Sequence, residues 1–500
     1  MKRRDFIQIS SLSLAALLVD GCNTAHEYNV EFLNDMAVGH LAFESSQFPI
    51  TTNINTEYLI VGGGIAGMSA AFQLRDKDFL LFELSNLLGG SSTGSNYHDV
   101  PLCHGAHYDL SYPSYYGKET LSMLEELKII GFSQFSNSWN FVDKRYLIPK
   151  NIESQTFAID TFRKDVLPDG SAKIEFVELM ESFSGKMPMP TRLIDSNLYY
   201  LNDITFLEWL KQKISLNPEF IEGLDYHMKD DYGAGTDQVS ALAGIHYFTC
   251  RPYYTKPVEL FSPPEGNSYF IKKIYDQLPK EHVFTSHLVK RIHETTEGFE
   301  VEVIDAVNKE VINVTCDKII FAGHKHSLKY IFPKDYHLFH KTQYAPWVVV
   351  NIIIKKPWVK EAFWQNEILS NDKSLLGFVD SKAQFSDNEQ QRVFTVYFCF
   401  KPEEREMMSL IEERKHVFIT QVLSYLEKYF DRSLENQIEK VVIKQMGHAM
   451  PIPNQGYLFK DANGLRSHKN LVYAGVDNGR LPLLFEAMDS GISACRALEE

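Results

Sequence analysis

Residues 58–83 constrain the fold more than any other part of the chain. Tyr58-Leu59-Ile60-Val61 is a short apolar strand, broken by Gly62-Gly63-Gly64. Residues 65–75 then place Ile65, Met68, Ala71 and Phe72 at helical spacing. Arg75-Asp76-Lys77-Asp78 makes a turn, and Phe79-Leu80-Leu81-Phe82 is a second buried strand that ends in Glu83. Strand, helix and strand in so short a span form a βαβ unit, which requires a parallel sheet with helices on its faces. Within it, Gly62-Gly63-Gly64-Ile65-Ala66-Gly67 satisfies GxGxxG. Gly62 permits the tight turn, Gly64 lets the backbone approach a pyrophosphate, and Gly67 lets helix and strand pack closely. The helix start at Ile65 and Ala66 offers free N–H groups and a positive dipole end to phosphates. Glu83, 21 residues after Gly62, is placed to accept hydrogen bonds from ribose hydroxyls. The unit reads as a dinucleotide site.

The rest of the chain is too long for one compact domain. At about 150 residues per domain, 500 residues make two to four units, or two large ones. Strands are expected over 289–304 (alternating), 318–322, 345–358, 392–400 and 471–475. Helical patterns occupy 119–130, 203–213, 403–430 and 484–498. Neither repeats nor low-complexity tracts occur, so one fold with a discontinuous nucleotide domain is expected: 56–110, 262–333 and 468–500 for the nucleotide, 111–261 and 334–467 for a substrate. Residues 23–55 read as a linker plus an extended approach to the first strand. A formal charge of −15 argues against nucleic-acid binding by bulk electrostatics. The six cysteines, at 22, 103, 250, 316, 399 and 495, form no CxxC pair, so no zinc knuckle, iron–sulfur run or thioredoxin motif is available. His98, His104 and His107, spaced six and three apart, match no ligand pattern, and no metal is expected.

The N-terminus reads as an address. Lys2-Arg3-Arg4-Asp5-Phe6-Ile7 precedes an apolar run from Ile7 to Val19, then Asp20-Gly21-Cys22. A run of about 13 residues is shorter than the roughly 20 needed to span a bilayer. The paired arginines resemble a twin-arginine export signal, a route that carries folded proteins to the periplasm. Gly21-Cys22 resembles a lipoprotein cleavage site, which makes Cys22 a candidate inner-membrane anchor.

Past Glu83 the sequence reads Leu87-Leu88-Gly89-Gly90-Ser91-Ser92. This double glycine resembles the flavin-containing amine oxidase superfamily, which includes phytoene desaturases and protoporphyrinogen oxidases. Gly105-Ala106-His107-Tyr108 resembles the family segment beside the flavin ring. Val289 sits where the family holds the adenine by its backbone, and 317–328, with His324, resembles the return to the nucleotide domain. Gly475 and Asp477, followed by a helix with Gly491, resemble the closing strand and helix near the ribityl chain. The resemblance implies an α/β fold with a discontinuous Rossmann-like FAD-binding domain and an α+β substrate domain. It also implies FAD held by Gly62, Gly64, Ile65, Ala66, Gly67, Glu83, Gly89, Gly90, Ser91, Val289, Gly475 and Asp477. No cysteine stands in the His448 or C-terminal segments to attach the flavin covalently.

Three departures bear on chemistry. Ser91 replaces the family's arginine, Val476 precedes Asp477, and Asn351 stands where amine oxidases often keep a lysine. Lys355, four residues on, lies about 13 Å along the strand, too far to substitute. With Asn351 unable to do acid–base work, His107 is the first choice for that role and His104 the second. Asp230-Asp231 either line a pocket for an amine or cap the following helix. Gly447–Pro453 either lies over the flavin or is a Pro-stiffened surface loop. The expected function is hydride transfer from a small-molecule substrate, an amine or similar, to FAD. The alternatives are a desaturase or dehydrogenase on an apolar substrate, and a flavin-binding partner protein without turnover.

Overall fold

The computed structural model describes residues 27–44, 48–107, 116–158, 160–250, 260–356, 362–385, 391–460 and 462–499. The segment 1–22, expected to be an export signal, with Cys22, and Tyr108 lie outside the described residues. Two large sheets organise the chain. The first has seven strands, with Val283–Phe284, Phe79–Phe82, Ile50–Val61 and Glu310–Phe321 adjacent in that order. The far edge of Glu310–Phe321 is shared between an antiparallel meander (Phe299–Asp305, then His287–Glu294) and the parallel strand Leu471–Tyr473. The parallel members are buried on both faces, with Leu59, Ile60, Phe79, Leu81, Ile319, Ile320 and Phe321 at 0% exposure. That is why they read as unbroken apolar runs.

Helix Ile65–Gln73 packs on this sheet and against the C-terminal helix Leu484–Glu499. Two glycines set the closeness of that packing. A Cβ on Gly67 would lie 1.9 Å from the Gly62 carbonyl oxygen, and one on Gly491 would lie 2.1 Å from the Ala66 oxygen.

The second sheet has eight strands in the order Val30–Leu33, Ile438–Pro451, Tyr344–Ile354, Val393–Cys399, Leu375–Asp380, Gln365–Leu369, Ser154–Ala158 and Thr161–Arg163. Tyr344–Ile354 is its central strand and is wholly buried. Its residues Val348, Val350 and Ile352 pack with Phe418, Ile419 and Val422 of helix Lys415–Phe430. Trp347, Val349 and Asn351 point to the other face by strict alternation. The strand ends at Ile354, short of the expected 358. The expected helix 403–430 divides at Arg414, whose backbone (φ −117°, ψ 38°) leaves the helical range between Met407–Glu413 and Lys415–Phe430.

Among the described residues, 27–44 are not the linker that their polarity suggested, whereas the approach from Ile50 is extended as expected. Val30–Leu33 pairs in parallel with Val441–Lys444, Met36–Glu44 is a helix, and Ile50 already begins the strand that reaches Val61. The polarity of that approach has a physical cause. Thr51, Thr52 and Asn53 bond along the strand at 311–313 while their side chains face solvent, so the segment lacks an apolar face.

Candidate flavin site and substrate cavity

The glycine turn is built as the motif requires. Gly62 takes φ +96°, and a Cβ there would meet the Gly323 amide nitrogen at 2.9 Å. Gly64 is extended (φ −71°, ψ 179°) and caps helix Ile65–Gln73 without any side-chain acceptor, so the first helical N–H groups remain for a ligand. A Cβ on Gly64 would meet nothing closer than the Gly89 oxygen at 3.8 Å. The double glycine lies alongside, with Gly89 at φ +123°, Gly90 at φ +58°, and the Gly89 N–H donating to the Gly63 oxygen at 2.8 Å. Glu83 accepts from the Gly63 N–H (Oε2, 2.6 Å) and the Ser85 N–H (Oε1, 2.8 Å). Burial raises its pKa, and these two amides pull the other way. Val289 is buried in the strand that starts beside Glu83, where the His287 N–H donates to the Glu83 carbonyl at 2.8 Å. An open cradle of uncapped amides, flanked by a carboxylate with lone pairs to spare, fits a dinucleotide such as FAD. One participant was invisible in the sequence: Asp35, held by Lys444 Nζ at 2.6 Å and Ser85 Oγ at 3.1 Å, stands beside Glu83.

Asp477 is paired within the chain. Its Oδ1 takes Lys325 Nζ at 2.8 Å, and its Oδ2 takes the Lys325 N–H at 2.9 Å and the Tyr344 hydroxyl at 3.0 Å. Lys325 is fully buried and also donates to the Ala474 oxygen at 2.6 Å and the Gly323 oxygen at 3.0 Å. Burial alone would raise the Asp477 carboxyl, and Lys325 beside it more than reverses this. The pair clamps the turn at Gly475 (φ +123°) to the end of strand Glu310–Phe321. Against it, His326 stacks on His448 at 3.8 Å between ring centroids, and burial holds both rings neutral, at about 2 and about 3.

A cavity opens between the two sheets. Ser91 and Gly105–His107 form one wall, and Pro482–Leu484, ahead of the C-terminal helix, form another. Trp347, Val349, Phe378 and Tyr397 from the second sheet close it, with Met446, Ala449 and Met450 from strand Ile438–Pro451. Gly447–Pro451 is therefore strand beside the cavity and not a surface loop.

The two expected catalytic histidines separate. His107 lines the cavity, but both ring nitrogens are engaged: Nδ1 with the Tyr397 hydroxyl at 2.7 Å and Nε2 with the Pro264 oxygen at 3.1 Å. Since the Pro264 oxygen can only accept, the proton sits on Nε2 and Tyr397 donates to Nδ1. Burial lowers the ring to about 4, so it stays neutral near pH 7. The acid–base role expected for His107 has no free nitrogen to work through. His104 is fully buried and does not face the cavity. Its Nε2 meets Ser95 Oγ at 2.6 Å and its Nδ1 meets Asn351 Nδ2 at 3.2 Å. Asn351 also donates to the Cys103 oxygen at 2.7 Å and accepts from Thr395 at 2.9 Å, which closes the network. His104 is therefore a structural residue. Lys355 lies outside the cavity, with Nζ on the Asn436 oxygen.

Asp230 and Asp231 line the cavity from the end of helix Pro218–Tyr232. They cap nothing: the next helix, Ala241–Thr249, is capped by Ser240, whose hydroxyl accepts from Ala243. Acids in a last helical turn work against the helix dipole. Asp230 makes no hydrogen bond among the described residues, and burial raises its carboxyl to about 7. No lysine or arginine lines the cavity among the described residues.

Residues 60–127 match the NAD(P)-binding Rossmann-like domain family. No curated protein matches the chain by sequence. Solved structures match over nearly the whole chain. Putrescine oxidase bound to putrescine superposes with TM-score 0.62 at 15% identity, over 89% of this chain and 99% of that one. Cyclohexylamine oxidase from Brevibacterium oxydans gives 0.59 at 13% identity, over 89% and 100%. A CLA-producing fatty acid isomerase from P. acnes gives 0.61 at 15% identity, over 88% and 98%. With its Rossmann-like sheet, its second eight-stranded sheet and the cavity between them, the chain shares its fold with these solved structures.

Proposed function

We propose that this protein is an FAD-dependent oxidoreductase acting on an amine. The observation that carries the reading is Asp230: a carboxylate without a hydrogen-bond partner, in an aromatic cavity lacking lysine and arginine among the described residues. A carboxylate substrate, such as a fatty acid, would meet like charge there. An ammonium group would restore the ion pair that Asp230 lacks. FAD, held at Gly62–Gly67, Glu83 and Gly89–Gly90, supplies the hydride acceptor. The chain's own residues bind, orient and handle protons. Trp347, Phe378 and Tyr397 exclude water from the apolar part of the substrate. Asp230, titrating near neutrality, takes the ammonium proton at a carboxylate oxygen, leaving the neutral amine that hydride loss requires. His107 fixes the Tyr397 hydroxyl, accepting from it at Nδ1 and donating to it from the backbone N–H.

A second reading, oxidation or desaturation of an apolar substrate, is favoured by Asn351 in place of a lysine and by the aromatic walls. Anaerobic mixing of the flavin-loaded protein with amines, polyamines and polyenes distinguishes these readings by which class bleaches the flavin. Bleaching by polyenes alone refutes the amine reading. Absence of bleaching with every class would make the chain a flavin-binding partner protein. Export to the periplasm by the twin-arginine route belongs to the same proposal and rests on Lys2–Ile7.

A further inference from the structure

We propose that the face built by helix Met36–Glu44 and the turn at Tyr330 rests on the surface of an anionic phospholipid bilayer. The helix reads Met-Ala-Val-Gly-His-Leu-Ala-Phe before its last residue, without a charge. Met36 is 48% exposed and Phe43 66%, two turns apart on one side of the helix. Tyr330, 53% exposed on the short helix Leu328–Ile331, sets its ring edge-on to Phe43 at 5.6 Å. Three large apolar side chains thus stand in solvent on one face.

Cations lie on the elements that this face packs against. Both helices pack on strand His287–Glu294, whose Arg291 is exposed. Lys329 Nζ lies 4.6 Å from the centre of the Tyr330 ring, and Lys341 is exposed further along the same stretch of chain. None of these three makes an ion pair among the described residues. The one acid in 328–343, Asp335, is buried and accepts from the Ser467 N–H and the Tyr473 hydroxyl. On a chain of formal charge −15, exposed aromatic and aliphatic side chains share neighbouring elements with three unpaired cations, a combination that suits an anionic lipid surface.

Two further observations select a bilayer over a second copy of the chain. Two-fold pairing of this face would set its cations against themselves. The chain also arrives from the lipoprotein-like Gly21-Cys22, only eight residues before Val30, a reach of at most about 28 Å.

The test uses the full chain carrying Cys22→Ala, which cannot be lipidated, purified with its flavin. It is sedimented with vesicles of phosphatidylglycerol plus phosphatidylcholine, or of phosphatidylcholine alone. Two triple variants are compared with it, so the leader's own affinity is common to all. Arg291→Ala/Lys329→Ala/Lys341→Ala should lower partitioning into the anionic vesicles on the order of 100-fold, leave the neutral vesicles unaffected and reduce salt sensitivity. Met36→Ser/Phe43→Ser/Tyr330→Ser should lower partitioning into both. Retained flavin shows that each variant is folded. Unchanged binding in both variants overturns the proposal. Loss of self-association on a sizing column, with vesicle binding unchanged, would assign the face to a second copy and overturn it equally.

Discussion

Lys325→Met tests the clamp beneath the closing turn. The substitution removes three donors from a fully buried ammonium at once, leaving the Ala474 and Gly323 oxygens and Asp477 Oδ1 without them. Asp477, 6% exposed, would keep only the Lys325 N–H and the Tyr344 hydroxyl on its other oxygen. Breaking one side of a buried pair costs about 3–5 kcal/mol, because a charge is left without compensation. At roughly 1–2 °C per kcal/mol for a chain of this size, the melting temperature should fall by about 3–10 °C. Scans at one fixed rate, with and without added FAD, measure this. Acid sensitivity provides a second readout. The Asp477 carboxyl is held below its ordinary value, so its contribution is fully present above the unfolded pKa and is lost as pH falls through the folded one. The parent should therefore lose stability at acid pH more steeply than the variant. Lys325→Met/Asp477→Leu, which removes both charges, should recover most of the loss. A single variant as stable as a surface lysine substitution, or a double variant worse than the single, would refute the clamp.

Four further outcomes follow from the site. Gly64→Val should fold yet load little FAD, because its Cβ meets only open space in the cradle, and Glu83→Ala should load poorly as well; full flavin content in both would make the loop a mere turn. Asp230→Asn should weaken amine binding and abolish the improvement in KM expected as pH rises through about 7, where the wild-type carboxyl ionises; a retained pH limb would exclude Asp230 as its source. His107→Ala should leave the pH profile of flavin reduction between pH 5 and 9 unaltered, since a ring held near 4 with both nitrogens bonded does not titrate there; a lost limb would restore it as an acid–base group. Arg3→Lys/Arg4→Lys should leave folded, flavin-loaded protein in the cytoplasm, as cell fractionation would show, and unchanged fractionation rules the route out.

The nucleotide half was legible because its determinants are local. Strands buried on both faces make continuous apolar runs, and the turn from Gly62 to Gly67 needs glycine at positions that the sequence displays. The surroundings of the cavity were not legible, because their contacts join distant segments. Asn351 and His104 meet across 247 residues, and Lys325 and Asp477 across 152. No local pattern marks His104 as closed off or Asp477 as already paired. Asp230 was open between two readings because a sequence does not say which helix end an acid occupies; the left-handed Gly233 just after Tyr232 settles it. The strand Val30–Leu33 was missed for a related reason, since its partner lies beyond residue 440.

That strand has a consequence for how the protein is made. Val30–Leu33 emerges from the ribosome among the first residues, yet its hydrogen-bonding partner Val441–Lys444 follows some 400 residues later. At 5–20 residues per second this is a wait of roughly 20–80 s. Throughout that time this N-terminal segment has an unpaired backbone edge, and it docks only when nearly the whole polypeptide exists. An unfinished or C-terminally truncated chain would keep this edge free, so the state of the Val30–Leu33 strand reports whether synthesis has been completed.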